Sequence, residues 1–496
     1  MCFTLIQGFP FIAKSNQMKS HFPVLMISFL LLFCLNGIQA QPVTQTVRLM
    51  DALKAKQPEK ALEFVQSIDS ADYRDRKGMS LLMYASEIGY TEVCRILIEK
   101  GANLDMQSPE GTTALILASQ NGHLEIVKLL LNKGAGLDLR EAVYRTTALI
   151  QAAQNGHTGI VQLLLEKGAR IDLRRNNGTS ALMAASMTGH ADIVKILLDN
   201  GADKDMQSTQ RATALTLASF NGHTEVVKIL LENGANPDLR CFDGSTAIIW
   251  ASLIGHTAVV KLLLDNGANP ALECTDGSTA LTWALSKGHS EIAKLLLEKE
   301  TNSDRNQTGE TNALILAAHD GRTEVVKLLL DKGSPIDLLV TSFDATALME
   351  ASINGHTEVV KLLLERGANT ELQSSDGLTA LMMASRNGHK EIVRLLLEKG
   401  ARADLRSSDG YTALMAASLN GHAEVARLLL NKGADPDLQL DDGTTAMTLA
   451  SRYGHSEVIK VLLEKGAYPE IKTDEEKKVF EFAGKKDARS LQNTRP

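Results

Sequence analysis

The sequence predicts an all-α solenoid of about thirteen stacked helix-turn-helix units with hairpin-like connecting turns. The first observation behind this is a period. Glycine followed by histidine recurs at Gly122-His123, Gly156-His157, Gly189-His190, Gly222-His223 and on to Gly454-His455. Gly89-Tyr90 and Gly321-Arg322 fill the two places where histidine is missing, giving twelve occurrences spaced by 33 residues nine times and 34 twice. The second is that each period is too small to bury its own apolar face and needs neighbours. The third is that both ends depart from the pattern, as they must if the stack is not to end in bare core.

The stretch Asp243 to Pro270 shows every part of the unit. Asp243-Gly244 marks a turn, because glycine tolerates the positive φ of a tight tip. Thr246-Ala247-Ile248 opens a short helix, and the small residues Ala251-Ser252 let a paired helix come close. Gly255 ends the helix in the left-handed conformation. His256 and Thr257 begin a second helix, where Val259, Val260, Leu263 and Leu264 make one apolar stripe. Gly267-Ala268 stops it, and Asn269-Pro270 leads to the next turn.

This unit resembles the ankyrin repeat. The family pattern runs roughly D-x-x-G-x-T-P-L-H-x-A-A-x-x-G-H-x-E-V-V-x-L-L-L-x-x-G-A, and Asp376 to Ala401 reads DGLTALMMASRNGHKEIVRLLLEKGA. The likeness extends from Gly78 to Ala467. One departure is systematic: the proline and histidine of T-P-L-H are replaced, as in Thr379-Ala380-Leu381-Met382 and Thr412-Ala413-Leu414-Met415. Alanine keeps the helix, whereas the side-chain hydrogen bonding of the family histidine is expected to be lost.

In chain order, residues 1–40 read as a signal peptide. Lys19 precedes an uncharged run from Phe22 to Leu35, and Ile38-Gln39-Ala40 offers a small residue at the cleavage position before Gln41. Translation from Met18 gives these parts ordinary lengths; translation from Met1 leaves an extension. An uncleaved anchor is the rival, although Asn36-Gly37 cuts the run short of the roughly 20 residues a span prefers. Lipid attachment at Cys34, in Leu31-Leu32-Phe33-Cys34, is a third reading, with Phe33 where the lipobox wants a small residue. All three place the repeats outside the cytosol. Most familiar ankyrin proteins are intracellular, so export points to a bacterial periplasmic or secreted protein.

Residues 41–76 form a degenerate N-terminal capping repeat, with two helix-like blocks around Lys56-Gln57-Pro58 and apolar faces from Leu49, Leu53, Leu62, Phe64 and Val65. Tandem repeats occupy 77–466. Residues 467–484 form a C-terminal half-repeat, since Val479 to Ala483 follows Ala446 to Ala450 by one period. Residues 485–496 read as a frayed tail. A weak joint is expected at Glu300 to Glu310, where Glu300-Thr301 replaces the helix-stopping Gly-Ala and Glu310 replaces the tip glycine. Single insertions fall at Tyr144-Arg145 and Phe343-Asp344.

The net charge is -7, and removal of Lys14 and Lys19 with the first forty residues leaves 50 basic against 59 acidic residues, or -9. That balance argues against nucleic acid, whose phosphates call for a basic surface. Cys94, Cys241 and Cys274 make no disulfide framework. Cys94 takes an apolar core slot, and Cys241 and Cys274 stand one repeat apart, too far for a disulfide, so free thiols are expected.

Ten regularly spaced histidines raise the question of metal. Zinc needs ligands converging at about 2 Å from the ion, whereas these repeat one per unit, so each is read as helping the turn enter the second helix. The sequence holds no phosphate-loop, H-E-x-x-H or calcium-loop pattern, and no nucleophile with its base can be named. The expectation is therefore no catalytic residue, no cofactor and no metal, with a protein partner, no nucleic acid, and a membrane only if the N-terminus is uncleaved or lipidated. The protein is expected to be a monomer.

The ankyrin resemblance implies partner recognition on hairpin tips and the inner helical face. The residues two before each Gly-His glycine lie on that face, and three consecutive units present Met187, Phe220 and Leu253 there. Ile254 enlarges the patch where most repeats have asparagine. Trp250 and Trp283, the only tryptophans, occupy a slot elsewhere held by Leu117, Leu217, Leu316 and Leu449. Packing between helices explains them plainly; anchoring a partner is the alternative. Phe242 and Tyr411 are candidate tip contacts. The leading function is a binding scaffold outside the cytosol, with a secreted effector or enzyme inhibitor and a membrane-tethered envelope scaffold as alternatives, and a metal-storage array behind both.

Overall fold

The structure, a computed structural model, describes residues 44–299, 307–339 and 344–467. Among the described residues it contains 26 α-helices and no strand, and the only bridge is between Arg74 and Ser80. The expected signal peptide and Cys34, the half-repeat beyond Ala467, the tail, and residues 300–306 of the weak joint lie outside the described residues.

Each repeat is an inner helix followed by an outer helix, as in Ala247–Ile254 and Thr257–Asp265. The inner helix is short because both ends are marked. Thr246 is extended at φ -113°, and Gly255 turns left-handed at φ 99° with its N–H bonded to the Ala251 carbonyl. In most repeats the N-cap hydroxyl also accepts the N–H three residues on, as Thr113 does from Ile116 at 3.2 Å. The expected loss of side-chain bonding at the family histidine position is partly restored. Thr216, Thr282 and Thr448 stand there, and their hydroxyls accept the N-cap N–H of Thr213, Thr279 and Thr445 at 2.7, 2.8 and 2.7 Å.

Val259, Val260 and Leu263 are buried between the two layers, with Ala247, Ile248, Ile249 and Ala251 facing them. Leu264, expected on the same stripe, is half-buried. First helices pack more closely on one another than second helices do, so the stack bends toward the inner layer.

Four sets of bonds join neighbouring repeats. Histidine Nε2 reaches a carbonyl of the preceding inner helix, as His256 does to Phe220 at 3.1 Å and His422 to Arg386 at 3.0 Å. The carbonyl can only accept, so Nε2 carries the proton. Aspartates after the outer helices accept the next repeat's N–H, as Asp238 Oδ1 does from Asn269 at 2.9 Å. Hairpin tips pair by backbone, as Phe242 N–H does with the Gln210 carbonyl at 3.0 Å. Long polar side chains reach forward, as Arg240 does to the Glu273 carbonyl at 3.0 Å.

The histidine therefore differs in role from the expectation. It stands at the outer helix N-cap with φ -82° and ψ 75°, but its side chain makes no capping bond. Its ring instead lies over the preceding repeat's glycine: a Cβ on Gly222 would sit 2.6 Å from His256 Cε1. Gly-His is thus a lock between units. Arg322 replaces it once, donating to the Gly288 carbonyl at 3.1 Å.

The first unit comprises Gln45–Lys54 and Pro58–Val65. Leu49, Leu53 and Val65 are buried and Phe64 half-buried, but Leu62 is 40% exposed. A helix starting at Pro58 puts Ala61 and Val65 on one face, and Ala61 takes the core position expected of Leu62.

Candidate partner-binding face

Inner helices carry two columns of side chains along the bent side of the stack. The column two residues before the glycine holds Met187, Phe220 and Leu253 in succession, all half-buried. The column three residues earlier holds Trp250 and Trp283, also half-buried. The two columns meet across repeats: the Phe220 and Trp250 rings lie edge to face with centroids 5.2 Å apart and planes at 80°. Trp283 packs against the core, with Lys287 Nζ 5.9 Å from its ring centroid. The two tryptophans thus differ: Trp283 fits the packing reading well, while Trp250 joins the surface aromatic pair.

Ile254 is 43% exposed. In the same register Asn121, Asn155, Asn221 and Asn420 turn their amides back onto the carbonyl four residues earlier, at 2.8 to 2.9 Å. Isoleucine cannot make that bond, so its apolar surface faces outward. Of the tip residues, Phe242 is 77% exposed, whereas Tyr411 is half-buried against the core. Val143 and Tyr144, in the first insertion, are 57% and 61% exposed. Their signal was the extra residue at Tyr144-Arg145, where Arg145 takes φ 56°.

Chemistry-bearing groups elsewhere are engaged structurally. Histidine Nε2 atoms bind carbonyls, and among the described residues no three His, Cys, Asp or Glu side chains gather as a metal site would require. Among the described residues Cys94, Cys241 and Cys274 form no disulfide. Burial pushes Cys94 up to about 12, and burial also raises Cys241, so both are poor nucleophiles at neutral pH. His319 Nδ1 meets Glu350 Oε2 at 2.8 Å on the inner face, with Asn354 beside them.

One residue that the sequence reading passed over stands out. Arg175 occupies the first position of its hairpin, where its N–H bonds to the Thr179 carbonyl. The same backbone bond identifies Ser108, Ser208, Cys241, Cys274, Ser374 and Ser407 as its equivalents. Its guanidinium bonds to Gln154 Oε1 of the preceding inner helix, in the column of Phe220. The available signal was a cation in a column held mostly by serine and cysteine, where Asp75, Glu141 and Leu440 are the other departures.

A stack of this kind, with recurring bonds between units and a variable inner face, is an all-α repeat solenoid. The family model for ankyrin repeats (3 copies) matches residues 49–141, 134–208, 200–274, 267–341, 314–407, 348–440 and 401–473. The chain belongs to the ankyrin repeat family. Ankyrin repeats are generic protein–protein interaction modules. A comparison with curated proteins finds no match.

Proposed function

We propose that this protein is a non-enzymatic scaffold that holds a protein partner on the inner face around Met187, Phe220, Trp250, Leu253, Ile254 and Trp283, with exposed hairpin tips such as Phe242 contributing. The observation that carries the reading is the Phe220–Trp250 pair at 5.2 Å beside the exposed Ile254. Aromatic anchors set in an apolar patch are what partner recognition uses. The partner is met outside the cytosol, after export by the N-terminal apolar segment.

Two experiments test this. N-terminal sequencing of the mature protein should begin at Gln41; a chain retaining residues 22–35 removes cleavage and leaves anchoring. Affinity capture from the exporting cell's envelope, run in parallel with Phe220→Ser/Leu253→Arg, should lose the partner in the variant. Unchanged capture by a folded variant moves recognition to the tips, and loss of helical content makes the side chains core.

A further inference from the structure

We propose that the partner is an extended peptide segment carrying a carboxylate that binds Arg175, about six residues away from the apolar side chain that meets Phe220 and Trp250. This rests on the inner-face reading and adds the chemistry of what is recognised.

Arg175 is half-buried. Its equivalents Ser108, Ser208, Ser374 and Ser407 each use the hydroxyl to close their own hairpin, accepting the N–H four residues on at 3.0 to 3.2 Å. Arginine forgoes that bond. What it makes instead is one bond to Gln154 Oε1, while its buried Nε has no hydrogen-bond partner. Glu141 acts on it through space, but the Glu141 carboxylate accepts from Thr112 Oγ1 at 3.4 Å and closes no ion pair with it. A guanidinium presents five donors in a fixed fork suited to a carboxylate. Tying two repeats together through Gln154 uses one of them. With one N–H on Gln154 and Nε enclosed by the protein, the remaining Nη N–H groups are left for an acceptor, beside the apolar anchors.

The spacing follows from the stack. Gln154, Met187 and Phe220 hold one register in three successive repeats, so Arg175 and the aromatic pair lie about two helix spacings, or ~20 Å, apart. An extended chain advances ~3.3 Å per residue, which gives about six residues. A helical segment would need about thirteen for the same distance at ~1.5 Å each.

The test pans a phage-displayed random dodecapeptide library on the purified full chain and measures the consensus peptide and its Asp→Asn form against wild type, Arg175→Ser and Arg175→Lys. Serine already stands in four equivalent hairpins, so Arg175→Ser should fold. The expected consensus has Asp or Glu about six positions from Leu, Phe or Trp. Removing the acid should weaken binding to wild type about tenfold, the value of one charge-assisted hydrogen bond, and should change nothing on Arg175→Ser; Arg175→Lys should retain part of the preference. An equal Asp→Asn penalty on wild type and Arg175→Ser overturns the inference while leaving the inner-face reading standing, provided Phe220→Ser still abolishes binding. Peptides indifferent to Phe220→Ser overturn the inner-face reading itself, and a library without enriched acidic peptides overturns the inference.

Discussion

Residues 181–288 and residues 346–454 share a backbone and a set of joints, yet present different inner faces. In both, histidine donates to the preceding inner helix, at 3.1 Å for His256 and 3.0 Å for His422. In both, the glycine before that histidine, Gly255 in one and Gly421 in the other, is left-handed and leaves no room for a Cβ. The first region, however, presents Met187, Phe220, Leu253, Trp250 and Trp283, where the second presents Ile353, Arg386, Leu419, Glu350 and Met383 in the same registers. The lesson is a division by register. Positions that face the next repeat are constrained by packing and hydrogen bonding, and positions that face solvent on the bent side are free to carry recognition.

The largest expected effect tests the shared half of that comparison. Gly222→Ala and Gly421→Ala should each destabilise their repeats by about 3 kcal/mol, combining left-handed strain with overpacking. The added Cβ would lie 2.6 Å from His256 Cε1 in one and 2.7 Å from His455 Nδ1 in the other. Local amide exchange should show similar losses at both sites; a large effect at one alone would mean that the joints are not equivalent.

The next effect tests the difference. Phe220→Ser/Leu253→Arg should weaken the partner complex by ~2 kcal/mol or more, at least tenfold, while Arg386→Ser/Leu419→Arg leaves affinity unchanged. The cost to folding in the first variant should be about 1 kcal/mol, because an edge-to-face pair is lost. Equal binding losses from both variants would spread recognition over the whole inner face.

A smaller effect concerns a column common to both regions. The hydroxyls of Ser219, Ser252, Ser385 and Ser418 are buried without a hydrogen-bond partner, and the same register holds Ala153 and Ala318 elsewhere. Ser219→Ala and Ser418→Ala should each raise stability in urea by about 1 kcal/mol, the cost of a buried unpaired hydroxyl. Destabilisation would reveal a bond that the serine makes.

The smallest effect is at the first hairpin, where Asp75 holds the register of Arg175 but is already partnered. Burial pushes its carboxyl up, yet Lys54 Nζ at 2.8 Å, the Met79 N–H at 3.0 Å and the Tyr84 hydroxyl at 3.1 Å outweigh that and hold it below the usual range. A lowered carboxylate stabilises the fold above its unfolded value of about 3.9 and loses that contribution as pH falls through the lowered folded value. Lys54, raised by its bond to Asp75, contributes below its unfolded value of about 10.4 and loses the contribution as pH rises through the raised one. The N-terminal unit should therefore loosen selectively below about pH 4, as read by amide exchange, and Lys54→Met should remove that acid response.

Much of the fold was legible because a repeat writes its packing many times over. The glycines, the Val-Val and Leu-Leu stripes and the threonine caps depend on local geometry, and each period restates them. Leu62 was misplaced because that unit lacks the repeat's register, and the actual helix start at Pro58 decides which residue faces inward. The patch of Met187, Phe220 and Leu253 was visible as a column, since residues one period apart are neighbours in space.

What the sequence by itself determined is the repeat, its two helices, the glycine stops and the columns, all consequences of periodicity and backbone preference. Only the tertiary structure decided what crosses between repeats. It placed the histidine ring on the preceding glycine, set Trp250 against Phe220, and left the Arg175 fork with a single acceptor. Those contacts join side chains roughly 20 to 40 residues apart, and they depend on rotamers and on the bend of the stack, which no single repeat encodes.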